Sequence, residues 1–250
     1  MGFLTTLKAN RAYQLHAKGD LEAAKAGYEQ AYAEGLKDPK LLLAYGMLLL
    51  RTGDYERTVE VLRKAEKAPG VNADQKAQII TYYAITIWKQ GRTDRALELL
   101  RDLFRQRKTG ALYGTLGFLL IERADQMRPG GDPPVRPEDI QAARDEALAF
   151  NLEAVDYDED DPVCLDNLAQ VYYRLLGDKA SARAYFDRAL KLKPGAIDTN
   201  YFLALYDMEE GRAAEAADKL ETAAEGRFSP MNYITSEMVR AQLSKLREKV

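Results

Sequence analysis

The sequence predicts an all-α protein, a series of about six helix pairs followed by one terminal helix. Three observations lead to this fold class. A turn phrase recurs along the chain, apolar residues on both sides of it fall at helical spacing, and proline or glycine closes most of the units. Such units pack mainly on their neighbours and together form a long surface, so the sequence favours a binding face over a catalytic pocket.

The recurring phrase is a glycine, then Asp or Arg, with Ala or Thr five positions after the glycine. It occurs five times, at Gly19, Gly53, Gly91, Gly177 and Gly211. The first two copies are 34 residues apart, the next interval is 38, and the last is 34 again. A period near 34 indicates one repeated supersecondary unit. Each glycine is predicted to end a helix in the left-handed conformation.

The second unit shows the helical spacing clearly. Large apolar residues surround a glycine before the turn, and a second apolar stripe follows it: Leu42, Tyr45, Gly46 and Leu49, then Val59, Leu62 and Ala65. Pro69 and Gly70 then stop the second helix. Each unit is therefore predicted to be a helix, a tight turn, a second helix and a further turn.

These offsets resemble those of the tetratricopeptide repeat, and the fifth unit matches best. Its matching residues are Leu165, Leu168, Ala169 and Tyr172, then Ala182, Phe186, Ala189 and Pro194. The resemblance implies a right-handed superhelix of helix pairs, forming one array over residues 1–250. The implied repeats span about 5–38, 39–72, 73–109, 110–161, 162–195 and 196–230.

Small residues at set positions are expected to let helices approach closely, because larger ones would overpack the contact. They are Gly46, Ala84, Gly117 and Ala169 within units, and Ala24, Ala96, Ala182 and Ala216 against the next unit. Thr58 and Asn151 stand where the pattern has Ala and an aromatic residue. The sequence therefore predicts looser packing at those two places.

Two segments depart from the period. Between Gly91 and Gly177 lie two periods plus 18 residues, and the excess falls in a Pro/Gly-rich stretch, 125–139, predicted as a loop inside the fourth unit. A tolerated surface loop is favoured, and a recognition loop is the alternative.

Residues 231–250 predict a helix with one apolar stripe, at Val239, Leu243, Leu246 and Val250. It is expected to cap the array; folding into the groove or docking on another protein are the alternatives.

Composition excludes several classes of function. The net charge of −3, with both signs mixed, argues against nucleic-acid and membrane-surface binding. One cysteine, Cys164, and one histidine, His16, allow neither a disulfide nor a Cys/His zinc site. The acidic run 156–161 is no calcium loop, because Asp161 and Asn167 stand where Gly and Glu are required. No cofactor, metal or catalytic role is expected, and lacking a signal peptide the protein is expected to be cytoplasmic.

The resemblance also implies a binding face, since the first helix of each pair lines the concave side in this family. Its members contact ligands at repeat positions 2, 5, 9, 12 and 13. The candidate groove residues are Tyr13, His16, Leu43, Met47, Leu50, Arg51, Ile85, Trp88, Lys89, Phe118, Ile121, Tyr173 and Arg174. Members that clamp a C-terminal carboxylate have Lys and Asn there in the first repeats. A C-terminal carboxylate ligand is not expected here, because those positions are occupied by Ala9, Tyr13, Leu43 and Met47.

The function predicted from these residues is a non-catalytic scaffold or adaptor. It would bind a peptide or amphipathic helix of an unknown protein partner in an apolar concave groove, with Trp88, Leu50 and Phe118 as anchors. One alternative is a peptide-sensing regulator that acts through a separate output protein. Another is a self-associating module, joined through its C-terminal helix or the ends of the array.

Overall fold

The computed structural model describes residues 2–129 and 134–248, and all regular structure in them is helical, which confirms the all-α fold. The helices are α1 (Gly2–Lys18), α2 (Leu21–Ala33), α3 (Pro39–Arg51), α4 (Tyr55–Glu66), α5 (Ala73–Lys89), α6 (Thr93–Gln106), α7 (Gly110–Gln126), α8 (Pro137–Tyr157), α9 (Pro162–Gln170), α10 (Lys179–Leu192), α11 (Ile197–Glu209), α12 (Ala213–Ala224) and α13 (Ser236–Arg247). A π-helical segment, Val171–Leu176, continues α9. No helix in the described residues has the length and apolar character needed to cross a bilayer.

The chain divides into two compact units. Unit 1, Met1–Arg107, contains the pairs α1–α2, α3–α4 and α5–α6. Unit 2, Lys108–Val250, contains α7–α8, α9–α10 and α11–α12, and then α13. The two helices of each pair pack against each other. In unit 1 the first helix α3 also packs between α1 and α5, and in unit 2 α7 packs against α9.

The repeated phrase forms the turn inside a pair, and the structure explains both of its leading residues. All five glycines have φ between +69° and +91°, which confirms the left-handed helix ends. The following aspartates, Asp20, Asp54 and Asp178, each accept a backbone N–H three residues ahead, at 3.0–3.3 Å. Each such aspartate therefore caps the second helix. Arg92 and Arg212, in the other copies, make no side-chain cap.

Close approach at the small residues is confirmed. A Cβ added to Gly46 would lie 2.8 Å from Leu62 Cδ2, and one added to Gly117 would meet the Asn151 side chain. Ala84, Ala169 and Ala182 are fully buried. These positions leave no room for a further carbon, so the pairs are held at their present separation by residue size.

The looser packing expected at Thr58 and Asn151 is not found, because both side chains are fully buried and hydrogen-bonded. The Thr58 hydroxyl donates to the backbone carbonyl of Asp54 at 2.7 Å. Asn151 Nδ2 donates to the carbonyl of Ala147 at 2.8 Å. The Thr58 hydroxyl and Asn151 Nδ2 thus each have a partner on their own helix or helix cap, which offsets part of the cost of burying these side chains, while Asn151 Oδ1 is buried without a partner among the described residues.

The two unusual segments also have defined positions. The inserted loop does lie between the helices of the fourth pair, but it is shorter than 125–139, since α7 ends at Gln126 and α8 begins at Pro137. Its residues 130–133 are outside the described part of the chain. The terminal helix α13 packs on α12 and buries Val239 and Leu246, while Val250 is not among the described residues.

Candidate binding face

The predicted contact positions lie on the first helix of each pair. We call those on α1, α3 and α5 the unit 1 face. Those on α7, α9 with its π-helical segment, and α11 are the unit 2 face. The two faces differ in which side chains remain accessible.

The apolar floor expected in the groove is buried in the folded chain. Leu43, Leu50, Ile85 and Trp88 of unit 1 are at most 7% exposed, and Phe118 and Ile121 of unit 2 at most 2%. The expectation that Trp88, Leu50 and Phe118 offer apolar anchors to a partner is therefore corrected, because these side chains are core residues of the protein itself.

The accessible part of the unit 1 face combines half-exposed side chains with cations. Tyr13 is 39% exposed and Met47 37%. The Tyr82 hydroxyl donates to Met47 Sδ at 3.4 Å, which links α5 to α3. Lys40 Nζ lies 5.5 Å from the centre of the Tyr13 ring, which links α3 to α1. The candidate residues Arg51 and Lys89 are partly exposed at the ends of α3 and α5.

The first helices of unit 1 carry seven basic residues and one acidic residue. The basic residues are Lys8, Arg11, Lys18, Lys40, Arg51, Lys76 and Lys89, and the acidic one is Asp74. Lys8 pairs with Glu34, and Asp74 pairs with Arg107. Within the described residues no ion pair is found for Arg11, Lys18, Lys40, Arg51 or Lys76. Of these residues, Lys40, Arg51 and Lys89 are at contact positions and no acidic residue is, so the unit 1 face is electropositive.

The single histidine and the single cysteine, His16 and Cys164, are both buried. His16 is buried, and burial together with the charge of Arg51 lowers its pKa. Its ring meets Tyr28 edge-on at 6.3 Å, as a packing residue would. Burial raises the pKa of the Cys164 thiol to about 12, so it stays protonated and unreactive. No group of side chains able to hold a metal ion occurs among the described residues.

In the fifth repeat, which belongs to unit 2, the first helix contains one additional residue near its end. Its turn glycine, Gly177, comes eight positions after the small residue Ala169. In four other repeats the turn glycine comes seven positions after the small residue, as Gly53 does after Gly46. The structure accommodates the additional residue as the π-helical segment, which contains Tyr173 and Arg174. π turns of this kind often occur at functional sites.

Arg174 is held in a buried ion-pair network. Its Nη2 donates to Glu122 at 2.7 Å and to Asp125 at 2.9 Å, and its Nη1 donates to Gln170 Oε1 at 2.8 Å. Only 5% of its side chain is exposed. This candidate groove cation is therefore already fixed by the protein's own carboxylates, unlike Lys40 and Arg51 of the unit 1 face.

The connection between α12 and α13 lies on the unit 2 face. We call residues 225–235 the connecting segment. The ring centre of Tyr233 is 3.4 Å from the Arg174 guanidinium carbon and 6.1 Å from the Phe202 ring, to which it is nearly parallel. The Asp198 carboxylate accepts from Tyr233 N at 2.9 Å and from Ile234 N and Asn232 Nδ2 at 3.2 Å.

Asp198 belongs to a buried pair of carboxylates. Gln170 Nε2 donates to Asp166 at 2.7 Å and to Asp198 at 3.4 Å, and the Thr199 hydroxyl donates to Asp166 at 2.5 Å. Burial raises the pKa of Asp166. Burial and the neighbouring Asp166 raise the pKa of Asp198 to about 7. Because Gln170 Nε2 lies between the two carboxylates, the protonation of one depends on that of the other. Beside them lies a cavity of about 360 Å³.

Sequence reasoning missed Lys40 and Asp198, although the repeat spacing contained the signal. Lys40 follows the first residue of α3, and Asp198 follows the first residue of α11. Both are therefore at position 2 of their repeats, one of the positions that the family resemblance marks for ligand contact. The connecting segment could not be found this way, since nothing in the spacing shows where a loop folds back.

Comparison with known proteins agrees with the helix-pair architecture. The tetratricopeptide repeat family model matches residues 164–195, which are most of α9, its π-helical segment and all of α10. No curated protein sequence matches the chain.

Several solved structures share the fold at low sequence identity. TTC0263, a thermophilic TPR protein of Thermus thermophilus, is 19% identical with a TM-score of 0.64, over 84% of this chain and 99% of its own. A MamA RS-1 double mutant is 19% identical with a TM-score of 0.52, over 78% and 97%.

A monomeric mutant of IFIT1, solved with m7Gppp-AAAA, is 17% identical with a TM-score of 0.68, over 96% of this chain but only 54% of IFIT1. At these identities the likeness concerns the fold alone. The family model thus identifies one tetratricopeptide repeat at residues 164–195, and the structural likeness shows that the chain has the helix-pair fold of tetratricopeptide repeat proteins.

Proposed function

We propose that the protein is a non-catalytic interaction module whose unit 1 face binds an acidic, amphipathic segment of another protein. The observation that carries the proposal is the excess of basic residues on the first helices, seven against one, beside the half-exposed side chains of Tyr13 and Met47. A single face with both features can attract a segment by charge and hold it by apolar contact.

The charge argument favours an acidic partner over an apolar one. Apolar groove-binding helices need an open hydrophobic floor, and here that floor is buried. Lys40 and Arg51, by contrast, have no carboxylate partner in the described part of unit 1. Acidic side chains would supply the missing charge, and a few apolar ones would contact Tyr13, Met47 and Tyr82. A cytoplasmic location stays a prediction from the sequence.

A direct test uses fluorescence anisotropy with a labelled peptide of about 15 residues in which Glu alternates with Leu and Phe at helical spacing. It is titrated with the full chain, with Lys40→Glu/Arg51→Glu and with Arg63→Glu/Lys67→Glu. The last variant is the matched control, since it reverses two exposed cations at α4 and its C-terminal end, off the first helices. We expect binding to the natural chain and to the control, and a loss of at least about tenfold, or ~1.4 kcal/mol, for Lys40→Glu/Arg51→Glu.

Three results would contradict the proposal. The first is a control variant that loses as much affinity as Lys40→Glu/Arg51→Glu, and the second is equal binding of a peptide with Lys in place of Glu. The third is tighter binding of a single-stranded RNA oligonucleotide than of the acidic peptide, which would assign the electropositive face to phosphate instead. Light scattering of the chain alone measures self-association. If the natural chain forms dimers and Lys40→Glu/Arg51→Glu is a monomer, the unit 1 face binds a second copy of this chain instead.

A further inference from the structure

We propose that the unit 2 face is a second peptide-binding site, which the connecting segment occupies as an internal ligand. A partner segment of the same chemistry would displace it: a non-helical stretch in which an aromatic residue is followed by an aliphatic one. This site uses residues of unit 2 only, so the experiments that test it do not depend on whether the unit 1 face binds a partner.

The length and path of the connecting segment are the first reason. Other connections between successive pairs within a unit have four to six residues: 34–38, 67–72, 158–161 and 193–196. The connecting segment has eleven. It is not needed to reach a distant place, because α13 packs on α12. The additional residues instead run across the first helices, where the family resemblance places ligands.

The second reason is the way the face recognises backbone. Asp198 accepts the consecutive amides of Tyr233 and Ile234, one on each oxygen. A carboxylate that takes two successive N–H groups binds a main chain in a fixed register without regard to its side chains. Any segment able to present two adjacent amides in this bend can replace the one seen here.

The third reason is a preformed place for an aromatic ring. Glu122 and Asp125 hold the Arg174 guanidinium so that its flat side covers Tyr233. Cation–π contact of this kind favours an aromatic residue at that position over an aliphatic one. The next side chain, Ile234, is 1% exposed and belongs to the unit 2 core, which requires an aliphatic residue after the ring.

The connecting segment also leaves part of the face unfilled. The cavity of about 360 Å³ lies between it and the helices, with Arg227, Ser229 and Asn232 on one side. Asp166 and Lys193 line the other side. A volume of this size is within the range of ligand sites. A partner segment that fills this cavity would gain contacts that the connecting segment lacks. These contacts would help it to compete with the connecting segment, which has the advantage of being tethered to the face.

The test is a titration of full-length chains with a labelled peptide copy of residues 227–238. Tyr233→Ala removes the ring from the internal ligand and weakens its hold on the face, while the face itself is unchanged. We expect the peptide to bind this variant at least about tenfold more tightly than the natural chain. Tyr185→Ala is the matched control, because Tyr185 also stacks on a ring, that of Tyr172, but makes no such contact with the connecting segment.

Changes in the peptide test the recognition chemistry. Methylation of the backbone nitrogen at the Tyr233 or Ile234 equivalent removes a donor to Asp198 and should lower affinity at least about tenfold. Methylation at the Arg227 equivalent, which is outside the bend held by Asp198, should not. Replacing the tyrosine of the peptide by alanine should also reduce affinity. Lys40→Glu/Arg51→Glu should leave all of these values unchanged, which separates this site from the proposed unit 1 site.

Equal binding of the peptide to Tyr233→Ala, Tyr185→Ala and the natural chain would overturn the proposal. If Tyr233→Ala does not fold, amide hydrogen exchange of the natural chain decides. The proposal expects the Tyr233 and Ile234 amides to exchange at least about tenfold faster than those in the middle of α10, through opening of the connecting segment alone. Exchange of these amides only with global unfolding would show that the segment is a fixed part of the fold.

Discussion

The first helices of the two units are built alike but carry opposite charge. Those of unit 1 have seven basic residues and one acidic, whereas those of unit 2 have two basic and six acidic. Position 2 shows the difference in single residues, with Lys40 in one unit and Asp198 in the other. Each whole unit follows the same trend, with 18 Lys/Arg and 13 Asp/Glu in unit 1 against 18 and 26 in unit 2.

The charges are also used differently. In unit 2 the acidic residues contact the protein's own groups: Glu122 and Asp125 bind Arg174, Asp207 binds Arg212 and Lys219, and Asp198 binds the connecting segment. In unit 1 most basic residues of the first helices have no such partner in the described chain. One repeat design thus yields an electropositive face with accessible cations and a second face that the connecting segment covers.

The largest expected effect concerns the buried network of unit 2. Arg174→Ala leaves Glu122 and Asp125 without their cation and removes the contact with Tyr233, so we expect a loss of about 3–5 kcal/mol in the free energy of unfolding. Arg95→Ala in unit 1 breaks an exposed pair with Glu98 and should change the free energy of unfolding little, because solvent screens that pair. Urea denaturation measures both. Equal losses would remove the distinction between internal and accessible charge.

A somewhat smaller effect tests the shared repeat packing. Ala182 is fully buried where α10 meets its neighbours, so Ala182→Leu should overpack that contact and lower stability by about 1–3 kcal/mol. Ala180→Leu, on the exposed side of the same helix, is the control and should change the melting temperature little. No shift with Ala182→Leu would undermine the repeat register in unit 2.

Salt should separate the two binding faces. Raising ionic strength from about 0.05 M to about 0.5 M screens exposed charges strongly but buried ones weakly. The acidic peptide should therefore lose about tenfold in affinity for the unit 1 face. The 227–238 peptide bound to Tyr233→Ala should lose much less. Anisotropy titrations at both salt concentrations make the comparison, and equal salt dependence would contradict it.

The smallest expected effect is on how the free energy of unfolding changes with pH. Two residues of α11 affect this pH dependence in opposite directions. Since the folded pKa of Asp198 is raised to about 7, the stability that this group contributes is lost as pH rises from about 4 to about 7. The pKa of Asp207 is lowered by Lys219 and Arg212 against the effect of burial, so its contribution is lost as pH falls below its ordinary value. Urea midpoints should fall less between pH 5 and pH 8 in Asp198→Asn than in the natural chain. An unchanged slope would contradict the raised pKa.

Much of the fold could be predicted from local spacing. The five glycines, the small residues and the helix pairs are properties of neighbouring positions, and the structure has them as the sequence indicates. The one-residue difference between Ala169 and Gly177 was equally visible, though its consequence, a π turn at Arg174, depends on packing. Local pattern cannot report exposure, which is why Trp88, Leu50 and Phe118 were predicted as anchors and are core residues instead.

The candidate sites depend on long-range contacts and were harder to predict. Arg174 meets Glu122 across 52 positions, and Asp198 meets Tyr233 across 35. No periodicity relates such pairs. The net charge of −3 also concealed the difference between the units, +5 in one and −8 in the other. Dividing the sequence at Arg107 before counting charge would have shown an electropositive unit.

The most direct test of the central claim, that one face is open and the other occupied, is chemical-shift mapping on the full-length natural chain. The acidic amphipathic peptide is added stepwise while backbone amide and methionine methyl signals are followed. The account predicts shifts at Tyr13, Lys40 and Met47, with Tyr233 and Ile234 unchanged. Shifts at Tyr233 and Ile234 with none at Tyr13 and Met47 would contradict it.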